Sequence, residues 1–143
     1  MKTFNFYLLV TVIIISCSIK PSPIEYGKDA CVYCKMNIVD NQHAAEIVTQ
    51  KGKVFKYDAI ECMVRDVLKR EKDNIALYLI TDYSNPGMLV DATKASYLIS
   101  ENLPSPMGAN LTGFANKKSA EITHKEKMGT LYSWDELIQV FKK

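Results

Sequence analysis

Between Ala44 and Leu68 a strand–turn–strand run passes into a helical apolar stripe, and this succession constrains the fold more than any other feature of the chain. The segments 44–50 and 53–57 have the length and composition of two strands. They join at Lys51 and Gly52, where glycine supplies the turn geometry. Ile60, Met63, Val64, Val67 and Leu68 then follow the i, i+3, i+4, i+7, i+8 spacing of a helix facing a core. Asp58 is expected to open that helix with a capping box, Glu61 reaching back to the cap. Residues 76–81 read as a mostly buried strand, so the first half is ββαβ.

Ser84, Asn85, Pro86 and Gly87 form the strongest turn cluster and predict the boundary between two halves. The stretch 88–99 fits either a short helix capped by Asp91 or two short strands. Residues 103–108 read as a loop, 111–115 as a strand and 117–127 as a weakly amphipathic helix. A strand over 130–134 and a closing helix over 137–141, capped by Ser133 or Asp135, complete the chain. One internal repeat supports duplication. The run through Gly52, Phe55, Tyr57, Asp58 and Ile60 matches, position by position, the run through Gly129, Tyr132, Trp134, Asp135 and Leu137. The predicted fold class is therefore α+β. Two related ββαβ-type halves, about 30–83 and 88–143, form one compact pseudo-symmetric domain over 30–143, with a ligand site between them.

The N-terminus carries a different signal. Lys2 precedes an apolar run from Phe6 to Ile15, roughly ten residues and too short for a helix that stays in a bilayer. Ser16 stands directly before Cys17, the pattern of a lipobox. Residues 1–16 are thus expected to be a signal peptide, with Cys17 taking a thioether-linked diacylglycerol (palmitate among its acyl chains). Residues 17–29 would be a linker, with Lys20, Pro21, Ser22 and Pro23 as a stiff polar tether. The expected place is the bacterial periplasm, with the lipid anchored in the cell envelope, at the outer membrane.

Composition removes several function classes. The net charge of +2, with Lys and Glu interspersed, gives no footprint for nucleic acid. No glycine-rich phosphate loop, G-x-S-x-G or H-E-x-x-H motif is present. Only two histidines occur, and His43 and His124 both read as solvated. The expected role is not enzymatic. If Cys17 carries lipid, then Cys31, Cys34 and Cys62 remain of the 4 cysteines, an odd number in an oxidising compartment. A bound soft metal would both protect and use them.

The chemistry concentrates in Cys31, Cys34 and Met36, a C-x-x-C-x-M run. Three readings compete. A zinc half-site lacks a second ligand pair. A membrane-tethered thiol–disulfide oxidoreductase using Cys31 and Cys34 is the alternative function, although the usual strand-to-helix context is missing. Cu(I) suits the motif best, because a soft ion takes thiolate and thioether together. In an extended segment Cys34 and Met36 would share a face, and Lys35 would favour a thiolate. Met107 lies between Pro106 and Gly108 in a loop, an odd place for a packing methionine. Aligning the repeat, with an insertion before Gly129, makes Met36 and Met107 counterparts that bring sulfur to the cleft between halves. Cys62 falls opposite the Ile60–Leu68 stripe: it is an incidental or supporting thiol, unless a second layer covers that face.

Several short motifs recur together in one family. These are Cys31, Tyr33, Cys34 and Met36; Phe55 with Asp58; Thr81, Asp82 and Tyr83; Val90, Asp91 and Ala92; Pro106, Met107 and Gly108 with Phe114; and Gly129 with the 133–137 run. The sequence resembles the NosL family over residues 29–141. The resemblance implies a lipoprotein of denitrification, a copper chaperone for nitrous-oxide reductase, with a fold similar to organomercurial lyase. It points to Cys34 and Met107 as first ligands of Cu(I); Met36 or Cys31 is the expected third partner, and Cys62, which is no hallmark of the family, a possible auxiliary thiol. It implies a copper-accepting enzyme, nitrous-oxide reductase or its assembly factors, as the partner. A homodimer bridging the ion stays open. Many members carry glycine or glutamine in place of Lys35, and not all have a thiol at Cys31.

Overall fold

The computed structural model describes residues 18–70 and 74–143. The segment expected to be a signal peptide, and Cys17 with its expected lipid, lie outside the described residues. The first sheet holds β1 (Ala45–Thr49), β2 (Val54–Tyr57), β3 (Ile75–Asp82) and β4 (Asn85–Asp91), in the order β2-β1-β3-β4. Helix α1 (Ile60–Lys69) connects β2 to β3. The second sheet holds β5 (Ser96–Ile99), β6 (Leu111–Phe114) and β7 (Thr130–Tyr132), in the order β6-β5-β7. Helix α2 (Lys117–Lys127) connects β6 to β7, and α3 (Trp134–Lys142) closes the chain. Every strand pair is antiparallel.

Two ββαβ halves are present. In each, the first strand is central, the second flanks it, and the third returns after a helix to the other side. Thus β1, β2, α1 and β3 correspond to β5, β6, α2 and β7. This corrects the repeat read from sequence, which paired β2 and α1 with β7 and α3. Both runs are strand-to-helix steps, β2 into α1 and β7 into α3, but they occupy non-equivalent places in the two halves. The same topology removes Met36 and Met107 as counterparts, since Met36 precedes β1 whereas Met107 lies between β5 and β6.

The boundary between the sheets also differs from expectation. Ser84 turns the β3–β4 hairpin inside the first sheet, and the chain crosses at one 3-10 turn, Ala92–Lys94. Buried Asp82 organises the hairpin, accepting hydrogen bonds from Ser84 N at 3.2 Å and Asn85 Nδ2 at 2.6 Å. Pro86 and Gly87 ride in β4, an edge strand, where a missing N–H is tolerated. Both readings of 88–99 are realised in part, because Asp91 caps the 3-10 turn through Thr93 N, with a strand on either side.

Burial explains where the site can lie. Ala45 to Val48 are fully buried, so β1 is covered on both faces. Ile60, Met63 and Val64 of α1 are fully buried, with Val67 and Leu68 packed at the margin of the same cluster. That cluster includes Ile47, Ile80, Tyr97, Leu111 and Leu137, and so joins both sheets with α1 and α3. The segment expected as a free tether is docked along the first sheet. Ser22 N donates to Glu46 Oε1 at 2.9 Å, and Lys56 Nζ donates to the Pro23 carbonyl at 2.7 Å.

The α1 cap is not the predicted one. Ala59 is the N-cap and no side chain caps the helix. Asp58 and Glu61 are both buried and serve tertiary contacts instead, Asp58 accepting the Val39 N–H. The capping box belongs to α3, where Ser133 and Glu136 form it reciprocally. The helix therefore starts at Trp134, earlier than residue 137, and β7 ends at Tyr132.

Candidate metal centre

Cys31 and Cys34 sit in a tight loop laid against β2. Cys31 N donates to the Met36 carbonyl at 2.8 Å, and Lys35 N to the Cys31 carbonyl at 3.0 Å. Val32 N reaches the Lys56 carbonyl of β2 at 3.0 Å. Lys56 also pairs with Asp29 at 2.7 Å, pinning the loop from its other end. Closing so short a loop takes Lys35 into the left-handed region, at φ 68°. Residues 34–36 are therefore not extended, and strand alternation does not place Cys34 and Met36 on one face. The Cys31–Cys34 stretch is a turn rather than the start of a helix, unlike the setting expected of a thiol–disulfide motif. Met36 is 46% exposed.

Helix α1 supplies the third thiol. It begins a few residues after β2, the strand that carries the loop, so its first turn arrives beside the cysteines. The sulfurs of Cys31, Cys34 and Cys62 all lie within 4.8 Å of one another. Cys31 and Cys62 are buried, whereas Cys34 is partly exposed and forms the solvent side of the group. This decides the question left open for Cys62: a second layer does cover that face. A cysteine off the core stripe of an amphipathic helix was the available signal. The layer that buries it comes from sequence far away.

The three thiols are electrostatically unequal. Cys31 is pulled down to about 5, first by a hydrogen bond from the Cys62 thiol, with backbone N–H groups of Cys34, Asp58 and Tyr33 adding to it against burial. Cys34 N lies 3.5 Å from Cys31 Sγ. Cys62 is pushed up because it donates to Cys31, and burial adds to this. Burial pushes the Cys34 thiol up. One thiolate held by two thiols is a soft, preorganised donor set. A metal–thiolate bond is about 2.3 Å long, so three sulfurs in a plane around one ion stand ~4.0 Å apart. The three thiols already lie within 4.8 Å of one another, close enough to draw in around a single ion.

Met107 lies in the loop before β6, half-buried and packed against the cluster that contains Cys31 and Cys62. Glu61, the residue before Cys62, is fully buried; its Oε1 accepts from Ser105 Oγ at 2.5 Å and from Ala109 N at 3.4 Å. On the outer side, Lys69 Nζ donates to Tyr33 OH at 2.9 Å and anchors the loop to α1. His43 is not solvated. It is 4% exposed, bonded to Asp40 at 2.9 Å and to Thr112 at 3.2 Å, and it ties the approach to β1 onto β6.

With this geometry in view, a family model described as NosL matches residues 23–140. The chain belongs to the NosL family. No curated protein sequence gives a significant match. Among solved structures, the copper chaperone NosL from Shewanella denitrificans superposes with a TM-score of 0.72 at 21% identity. The match covers 83% of this chain and 96% of that one, so the NosL fold is shared over nearly the whole of the compared protein.

Proposed function

We propose that this NosL-family protein is a copper metallochaperone that takes up one Cu(I) ion and hands it to an acceptor without chemical turnover. The observation that carries the reading is the convergence of Cys31, Cys34 and Cys62 sulfur within 4.8 Å. Soft thiolates suit Cu(I) and zinc alike; the thioethers of Met107 and Met36 tilt the choice to Cu(I), and the likeness to a copper chaperone agrees with it. Cys31, Cys34 and Cys62 form the thiolate core of the proposed site, with Met107 and Met36 as thioether donors. Uptake displaces thiol protons to solvent, and the ion keeps its oxidation state throughout. Release proceeds by ligand exchange: donors of the acceptor replace sulfurs one at a time, entering from the side of Cys34 and exposed Met36.

Apo nitrous-oxide reductase or its assembly factors are the proposed acceptor, reached in the periplasm by a protein anchored through lipid on Cys17. The reading is tested on the full chain by Cu(I) titration against a chromogenic chelator. About one Cu(I) per chain is expected, with affinity falling roughly 10–100-fold or more in Cys62→Ser and in Cys31→Ser, the scale of losing a supporting or direct ligand. Undiminished stoichiometric binding in the Cys31→Ser/Cys62→Ser double variant would overturn the site. Mixing the loaded protein with apo-reductase tests the partner, and copper retained on the chaperone argues against it.

A further inference from the structure

We propose that Glu61 is a positioning residue that pins the Met107 loop against the thiol cluster and so fixes the thioether as a copper donor. The inference deepens the proposed site and rests on Met107 being a ligand there.

A glutamate in the first turn of a helix ordinarily serves that helix, by capping it or by facing solvent near the positive dipole end. Glu61 does neither. It is fully buried, and α1 has no side-chain cap at all. Both hydrogen bonds of its Oε1 cross to the other half of the molecule, one to Ser105 Oγ and one to Ala109 N. These two groups flank Met107 on either side, so the carboxylate holds both ends of the short loop. Ser105 completes the arrangement: its hydroxyl donates to Glu61 and accepts from Leu111 N at 3.3 Å, and its carbonyl accepts from Gly108 N at 3.0 Å. Gly108 turns the loop at φ 75°.

Among the described residues, Glu61 Oε2 meanwhile has no hydrogen-bond partner despite its burial. Keeping such an atom is costly, and an apolar residue would fill the same space without that cost. What the Glu61 side chain provides, and an apolar one could not, is a single oxygen that accepts from two donors on one loop. The next residue in the chain is Cys62. Helix geometry thus couples the clamp to the metal: one turn of α1 carries a buried thiol and the group that seats the distant methionine beside the same core cluster.

The experiment is a double-mutant cycle on Cu(I) affinity in the full chain, with X-ray absorption to count sulfur donors. Glu61→Ala is expected to weaken binding by roughly 10–100-fold, the usual effect of removing a group that orients a ligand. It should also remove one sulfur from the copper shell. In a Met107→Ala background the same change should cost nothing further. Glu61→Gln, whose carbonyl can accept both bonds, should restore most of the affinity and the sulfur count. Ser105→Ala removes one bond without touching α1; it should shift affinity the same way and keeps the test open if Glu61→Ala fails to fold. Additive losses in the double variant, or an unchanged sulfur count in Ser105→Ala, would overturn the clamp while leaving Met107 a ligand. Undiminished affinity in Met107→Ala itself would overturn the methionine assignment and the clamp with it.

Discussion

Cys31 shows how much of the site is set by single residues outside the sulfur shell. Its loop is held at one end by the Asp29–Lys56 pair and at the other by Val32 on β2. The hydrogen bond from Lys56 holds the Asp29 carboxyl below the usual carboxylate range. A lowered folded value means that this contribution is complete above the unfolded pKa near ~3.9 and is lost as pH falls through the folded value. Asp29→Asn should therefore lower stability at neutral pH by under about 1 kcal/mol, since the pair is partly exposed. The difference from wild type should shrink as pH falls below the unfolded pKa and through the lowered folded one. Denaturant melts across that range check it. A gap that widens towards acid would contradict the assigned sign.

At the scale of elements, the chain satisfies its steepest turns with glycine and with short polar caps. Gly129 enters β7 at φ 106°, and a Cβ there would collide with the Ile99 carbonyl oxygen and stand 2.9 Å from Ser100 Cβ. Neither neighbour can give way easily, because β5 is the central strand of its sheet. Gly129→Ala combines a left-handed backbone with a backbone collision. It should destabilise by about 2–4 kcal/mol, a loss large enough to read directly from a thermal or urea melt. A variant within 0.5 kcal/mol, taken as about the surface-substitution limit, would show that β7 can shift freely. Ser133, by contrast, caps α3 through a reciprocal box legible from its spacing to Glu136.

At the scale of the whole molecule, the two ββαβ halves meet along a seam where β6 lies against α1 and β3. Gly113 marks the tightest point: a Cβ would collide with Ile80 Cδ1 and lie 2.9 Å from Ile60 Cδ1. Isoleucine ends can rotate away, so Gly113→Ala should cost about 1–3 kcal/mol rather than abolish folding. Because α1 carries both Cys62 and Glu61, loosening this seam should also weaken Cu(I) binding in the chelator titration. Unchanged copper affinity at clearly reduced stability would show that the site is carried by the first half alone.

The sequence by itself determined the local elements and the kind of chemistry available. Strand-like composition on either side of Gly52 and then a period of about 3.6 marked out β1, β2 and α1, and the composition of the 30–36 run pointed to soft-metal binding. These are properties of neighbours along the chain, where spacing alone decides which side chains share a face. Tertiary structure decided the rest. It buried Cys62 beside Cys31, drew Asp58 and Glu61 away from the α1 cap, buried His43, and matched β5, β6, α2 and β7 to the first half in place of the β7–α3 run. Each of these depends on which surfaces distant segments bury against one another. A buried acid or thiol takes whatever donor the opposing layer presents, and no spacing within its own element encodes that layer.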